Sequence, residues 1–233
     1  MELKAQGISR RYFRQGRGKN FFYAVEKTDL TLASGVLTEV TGRSGSGKST
    51  LLNMLAGLLE PTEGSVLLDE TDLYAMDDGS LSKLRNASIG VIPQGQTGLH
   101  SLTVLENVKL PSLLYAKEPC SDAWAEELLS RVGIAHLRDV YPNELSGGEM
   151  RRLAIARALV MKPGILLADE PTGDLDDENT RQVLSLLRRC ADEGTAVLLV
   201  THEMEAAAYA DVVYRMNDGV LTPVSEASHD GDI

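Results

Sequence analysis

The sequence predicts an α/β fold with a mostly parallel sheet and an inserted helical segment. Three observations carry that reading. Short, near-continuous aliphatic runs recur along the chain, as expected of strands buried on both faces. Helical patterns alternate with them, which is the βα rhythm of a parallel sheet. The stretch "GRSGSGKST", Gly42 to Thr50, lies between one such run and the helical pattern "LLNMLAGLL".

The chain of 233 residues is 43% apolar, enough to bury a sizeable core as one domain or two closely joined lobes. At its start, residues 1–20 hold Lys4, Arg10, Arg11, Arg14, Arg17 and Lys19 against Glu2, a local balance of 6 − 1 = +5 in a chain of formal net charge −11. This stretch reads as a solvated hairpin, with a site for phosphates or anionic lipid as the alternative. The overall acidity disfavours general nucleic-acid binding, because phosphate backbones attract basic surfaces. "MELKAQGISRR" lacks the apolar centre of a signal peptide, and no uncharged run approaches the roughly 18 residues needed to cross a bilayer, so a soluble chain is expected. Cys120 and Cys190 lie far apart without C-x-x-C spacing, which points to neither a disulfide framework nor a zinc site and fits a reducing compartment.

The first core strand is "VLTEV" (36–40). Directly after it, Gly42, Gly47, Lys48 and Ser49 match G-x-x-x-x-G-K-[ST]. Glycines there allow positive φ and turn backbone N–H groups toward a phosphate chain. Lys48 can bridge the β and γ phosphates, the Ser49 hydroxyl can ligate Mg²⁺, and the positive end of the next helix adds to the attraction. A nucleoside triphosphate is the expected anion. "SVLLD" (65–69) and "SIGVIP" (88–93) continue the strands. From about Gln96 to Asn143 the pattern becomes helical and polar: "SDAWAEELLSRVG" spaces Trp124, Leu128 and Val132 four apart and stops at Gly133. Trp124 reads as a packing anchor.

"LSGGE", Leu145 to Glu149, opens the helix "MRRLAIARALVM". Ser146 and Glu149 have capping-box spacing. Gly147 and Gly148 leave the helix start bare of side chains, so its N–H groups and the Ser146 hydroxyl are available to a second anion. "GILLAD" (164–169) ends an apolar strand at Asp169 with Glu170 next. There Asp169 would hold Mg²⁺ through a water, and Glu170 would polarise the attacking water as general base. "NTRQVLSLLRRCADEG" lines Val183, Leu187 and Cys190 on one face and stops at Gly194. "AVLLVT" (196–201) is the last buried strand, followed by His202, and the tail "SEASHDGDI" is expected to be loosely ordered.

Together these stretches resemble the ATP-binding-cassette (ABC) ATPases over nearly the whole chain. "GRSGSGKST" is similar to their Walker A, Gln94 in "VIPQ" to the Q-loop, "LSGGE" to the signature, "ILLADEP" to Walker B, "GDLD" (173–176) to the D-loop, and His202 to the switch histidine. The resemblance implies a P-loop NTPase core with an N-terminal antiparallel β subdomain and an inserted helical subdomain. The core would span about 1–95 and 150–225, the helical signature subdomain about 96–149, and the loose tail 226–233. It implies ATP on Gly42, Arg43, Ser44, Gly45, Ser46, Gly47, Lys48, Ser49 and Thr50, with Mg²⁺ held by Ser49, Gln94 and Asp169. Glu170, His202, Gln94 and Lys48 would carry the catalysis. Tyr12 is similar to the family's adenine-stacking aromatic, with Phe13 and Tyr23 as nearby competitors.

In that family two cassettes pair head to tail. Each ATP then lies between the Walker A of one and the signature of the other, which gives Ser146, Gly147, Gly148 and Asp176 a role toward a partner's nucleotide. The resemblance therefore implies a second copy of this chain, or a homologous ATPase subunit, as an ATP-dependent dimer. It also implies an integral membrane permease subunit and a peripheral place on the cytoplasmic side of the inner membrane. "LSKLRNASIGVIPQ", "LTVLENVKLP", "YPNELSGGE" and "ADEPTGDLD" resemble the macrolide-exporter and lipoprotein-release group. Two departures stand out: Asp174 occupies a position where small or amide residues are commoner, and "GQTGLHS" lacks an aromatic often found after Gln94. A DNA-repair or chromosome-type ABC ATPase would carry a long coiled-coil or zinc insertion. A P-loop kinase or GTPase has no use for "LSGGE". A complex that signals to cell-wall enzymes without moving cargo is the remaining alternative.

Overall fold

Strands without alternating polarity need an apolar layer on each face, and the computed structural model shows both layers. It describes residues 1–13, 21–95, 97–173 and 175–224. Arg14, Arg17, Lys19, Gln96, Asp174 and the 226–233 tail, all named above, lie outside the described residues.

The larger sheet has six strands in the order β10 (Val220–Pro223), β9 (Val212–Asn217), β3 (Leu37–Thr41), β8 (Ala196–Thr201), β7 (Ile165–Asp169), β6 (Ile89–Ile92). It is parallel from β9 to β6, with β10 added antiparallel at the edge. Every residue of β7 and β8 is buried, and successive side chains divide between two cores. Ile165, Leu167, Leu198 and Val200 face one core; Leu166, Ala168, Val197 and Leu199 face the other. That division is why these runs read as continuous apolar stretches. Glu39 is the exception on central β3: it is 1% exposed, and burial pushes its carboxyl up to about 7.

The second sheet is antiparallel, in the order β2 (Phe21–Leu32), β1 (Leu3–Phe13), β4 (Glu63–Leu68), β5 (Thr71–Asp72). It covers the first core together with α1 (Lys48–Leu55), whose Leu51, Leu52, Met54 and Leu55 are buried there. The expected N-terminal antiparallel β subdomain is thus present. The β9–β10 hairpin has its own local cause: Asp218 (φ +47°) and Gly219 (φ +83°) both take left-handed backbone, as a two-residue Asp-Gly hairpin turn requires.

α2 (Asp78–Ser88) precedes β6. The other core lies under α3 (Val104–Tyr115), α4 (Asp122–Arg131), α5 (Gly147–Leu159) and α6 (Asp177–Asp192). Val183, Leu187 and Cys190 of α6 are buried together, as the spacing predicts. Leu128 on α4 and Val132 just after it are buried, and Trp124 packs against the core they belong to while its Nε1 donates to the Val160 carbonyl at 2.9 Å. Trp124 is an anchor. Among the described residues no helix is long and apolar enough to cross a membrane.

Candidate active site

β3 ends at Thr41, and the chain then bends through Gly42–Gly47 into α1 at the carboxyl edge of the sheet, where open α/β folds place ligands. Gly47 caps α1 with φ +110°. A Cβ there would stand 2.0 Å from the Ala24 carbonyl oxygen, so only glycine lets β2 lie this close. The loop is fixed from behind: Gly219 N donates to the Ser46 carbonyl at 2.9 Å and Leu51 N to the Gly47 carbonyl at 2.9 Å. Gly45 (φ +79°) faces open space. With no acid in its first turn, α1 presents an uncompensated positive end toward this opening.

Lys48 is buried, and its Nζ donates to the carbonyls of Gly42 (2.7 Å) and Arg43 (3.2 Å). Opposite it, β7 ends at Asp169, with Glu170 directly after it. Asp169 is 6% exposed; burial raises its carboxyl above the usual range, opposed by a hydrogen bond from Ser49. Its Oδ1 has no hydrogen-bond partner. Glu170 takes left-handed backbone at φ +49°, which costs about 1–3 kcal/mol for a residue with a Cβ. Its N–H still donates to the Val200 carbonyl at 2.8 Å, while its carboxylate turns off the sheet to meet His202 Nδ1 at 2.6 Å and Lys48 Nζ at 3.6 Å. His202 leaves the end of β8 and also bounds a recess with Gly42, Arg43 and Arg215.

These groups open onto a cleft of about 600 Å³ lined by Ser44, Gly45, Gly47, Lys48, Ser49, Thr50, Gln94 and Glu170. Its far wall is aromatic, made by Tyr12, Phe22 and Tyr23. Tyr12 lies 5.9 Å from Phe22, tilted 31°, with the Arg10 guanidinium 4.9 Å from the Tyr12 ring centre. Phe13 does not line the cleft and is 81% exposed. A groove of about 690 Å³ at the opposite end of the sheet, walled by Trp124, Arg131 and Cys190, is larger. No acid pair faces a phosphate loop there, so the smaller cleft is the candidate site.

Sequence reasoning overlooked Phe22, Ala24, Asp218 and Gly219 on the cleft wall. The Asp-Gly pair carried a usable hairpin signal; Phe22 and Ala24 carried none. It also overlooked three braces of the loop after β6. Arg151 donates to the Pro93 carbonyl at 2.8 Å, Arg157 to the Thr97 carbonyl at 2.6 Å, and Asn107, fully buried, bonds both the N–H and the carbonyl of Leu99.

Ser146, Gly147, Gly148 and Asp176 do not line this cleft. Ser146 N–H and Oγ donate to Glu149 Oε2 at 2.8 and 2.7 Å, completing the expected capping box. Asp176 caps α6, accepting from Asn179 N–H at 2.8 Å. The two helix starts are neighbours, since a Cβ on Gly148 would meet Leu175 at 3.3 Å. Ser146, Gly147 and Asp176 are exposed. The chain therefore carries two glycine-opened helix starts that do not share one cleft.

A sequence profile of the family described as ABC transporter matches residues 25–173. The chain is 39% identical over 231 residues, 98% of its length and 95% of the relative's, to the lipoprotein-releasing system ATP-binding protein LolD of Shewanella frigidimarina (strain NCIMB 400). It is 38% identical over 210 residues, 89% of its length and 90% of the relative's, to the ABC transporter ATP-binding protein YtrE of Bacillus subtilis (strain 168). Its fold matches the dimeric ATP-binding cassette MJ0796 in a post-hydrolysis state bound to ADP and Pi, with TM-score 0.87 and 33% identity over 97% of this chain and all of that one. With the phosphate loop, the paired acids and the glycine-opened helix start in one chain, and with that extent of similarity, the chain belongs to the ABC transporter family as an ATP-binding cassette.

Proposed function

We propose that this cassette hydrolyses ATP at the inner face of the cell membrane and thereby moves integral membrane permease subunits, in an exporter or a mechanically signalling complex. The observation that carries the proposal is Glu170, held between Lys48 and His202 at the mouth of the phosphate loop. The triphosphate would lie on the N–H groups of Gly42 to Thr50 with Lys48 beside it, and the adenine against Tyr12 and its aromatic neighbours. Glu170 takes the proton of the attacking water, and His202 orients the carboxylate and reaches the γ-phosphate. The residues present fit Mg²⁺: Asp169 keeps one buried carboxyl oxygen, Oδ1, without a partner, Ser49 interacts with the same carboxyl, and Ser49 and Gln94 border the same cleft. Bound there, Mg²⁺ would neutralise charge on the β and γ phosphates.

A second copy completes the site. Ser146, Gly147, Gly148 and Asp176 cannot serve the cleft of their own chain, and a head-to-tail dimer brings them to the partner's ATP. The dimeric assembly of the similar cassette supports this. Ser146→Arg is expected to block ATP-dependent dimerisation in size-exclusion chromatography while equilibrium dialysis shows ATP still bound by the monomer. Equal loss of both would leave Ser146 a cap and nothing more.

The permease would dock beside Gln94, on the loop braced by Arg151, Arg157 and Asn107, where the helical subdomain (about 96–149) meets the core. The similarity to LolD favours a membrane partner of the lipoprotein-releasing kind. Fractionation of native cells tests this: the chain is expected in the membrane fraction, co-purifying with an integral membrane protein. A wholly cytosolic chain without such a partner sinks the transporter reading.

A further inference from the structure

We infer that Arg151 is a positioning residue for ATP hydrolysis: from α5, the helix capped by Ser146, it holds Glu170 in place relative to Gln94. Arg151 lines no part of the cleft, so it acts through other residues. It is 8% exposed and lies four residues beyond Gly147, on the same face of the helix. Helical side chains lean back toward the helix start, and this one reaches the ends of two neighbouring strands.

β6 and β7 run parallel with Ile92 opposite Ala168, so Pro93 and Asp169 follow side by side at the carboxyl edge of the sheet. Arg151 Nη1 donates to the Pro93 carbonyl at 2.8 Å. That carbonyl belongs to the same planar peptide unit as the N–H of Gln94, and Gln94 borders the cleft. On the β7 side the Arg151 charge acts on the Asp169 carboxyl, and Nη2 lies 3.9 Å from where a Cβ on Gly173 would stand. Gly173 closes the turn that begins at Glu170, since its N–H donates to the Glu170 carbonyl at 3.2 Å. One guanidinium thus spans the Gln94 peptide and the Glu170 turn.

The turn needs such ties. Glu170 has φ +49°, and a non-glycine residue keeps left-handed backbone only where its surroundings over-determine it. Thr172, 1% exposed, donates from Oγ1 to Glu203 Oε2 at 2.6 Å, which fastens the turn to the chain directly after His202. Arg151 adds the tie to β6 and α5. Burying a cation is costly unless it is hydrogen-bonded and paired, and an apolar side chain would fill the same space without that cost. What the guanidinium adds is its planar fork of donors, which can serve two sides at once where an ammonium is a single point of charge. The meaning of the cleft rests on the ATPase reading; the contacts of Arg151 do not.

Phosphate release by Arg151→Met, Arg151→Gln and Arg151→Lys tests the inference, with equilibrium dialysis of ATP and melting temperature read on the same samples. Methionine fills the space and removes charge and donors together. It is expected to lower kcat at least about tenfold, as misplaced catalytic groups do, while the monomer binds ATP as the wild type does. Arg151→Lys keeps the charge and one donor and should recover part of the rate; Arg151→Gln keeps a donor and serves if the methionine variant does not fold. One further result separates positioning from packing. In single-turnover measurements on a Glu170→Gln background, Arg151→Met should cost far less than it does beside Glu170, because residues that act through one another are not additive. Wild-type kcat in Arg151→Met, or in Arg151→Gln should only that variant fold, would overturn the inference. So would ATP affinity and melting temperature that fall with the rate, an equal loss in the Glu170→Gln background, or failure of all three variants to fold. A wild type that releases no phosphate would overturn the ATPase reading and this inference with it, so the two failures are told apart.

Discussion

Glu170→Gln is expected to lower turnover by about 10²- to 10⁴-fold, the range typical of a lost general base, while lengthening the life of the ATP-bound dimer. The geometry supplies both halves of the expectation. Glu170 sits 2.6 Å from His202 Nδ1 and 3.6 Å from Lys48 Nζ, with backbone in the left-handed region that a sheet residue does not adopt without local compulsion. A carboxylate so placed serves the hydrolytic step, but while ATP is only bound its charge repels the γ-phosphate across a poorly screened gap. Glutamine keeps the size and the hydrogen-bonding reach and removes the basicity and the repulsion together. Asp169→Asn should behave differently: it halves the donor set at the partnerless buried oxygen and should weaken Mg²⁺-dependent ATP binding itself. Phosphate release and size-exclusion chromatography of the two variants, side by side with ATP, decide the matter. Near-normal hydrolysis by Glu170→Gln, or a monomer at saturating ATP, would show the base assignment or the dimer to be wrong.

How much of this was legible beforehand depended on whether a residue's role is local. β7 and β8 were readable because a strand covered on both faces must be apolar at every position, and α6 because its buried Val183, Leu187 and Cys190 repeat at helical spacing. Gly47, Lys48 and Ser49 announced themselves by spacing, because a phosphate cradle is built from consecutive residues. The antiparallel sheet was harder to draw strand by strand. β1 has register shifts against both β2 and β4, and such irregularities break the alternation that marks a half-buried strand. The braces Arg151, Arg157 and Asn107 act on segments 8 to 60 residues away, a relation that local spacing does not encode. The same limit explains the adenine wall. Tyr12 was singled out by resemblance, but that Phe22 shares its face of the hairpin and Phe13 does not follows from the β1–β2 register, while Tyr23 borders the cleft although the register pairs it with Arg11.

Gly47→Ala should be the most damaging glycine-to-alanine change among the described residues, since no other added Cβ would stand so close to a fixed atom. At φ +110° an L-residue is strained wherever it sits, and here the new Cβ would stand 2.0 Å from the Ala24 carbonyl oxygen and 2.9 Å from Met216 Cε. Methionine can yield; the carbonyl cannot, because it belongs to β2, which is paired along its length with β1. The loop must therefore leave its position. That breaks the Gly219 N–H to Ser46 carbonyl bond and tilts the start of α1, from which Lys48 and Ser49 project. Strained backbone costs about 1–3 kcal/mol, which for a chain of this size lowers the melting temperature by roughly 2–12 °C at 2–4 °C per kcal/mol. The loss of ATP affinity should be larger than that figure implies, at least about a hundredfold, since donor N–H groups displaced by even 1 Å no longer converge on a phosphate. Gly45→Ala is the control. It also has positive φ (+79°), but its Cβ meets nothing within 4 Å, so it carries the strain without the collision and should hold ATP within about tenfold of wild type. Calorimetric melting and ATP titration of the two variants read the difference. Equal losses would mean that backbone strain alone governs the loop; a large loss at Gly47 only would mean that the close approach of β2 does.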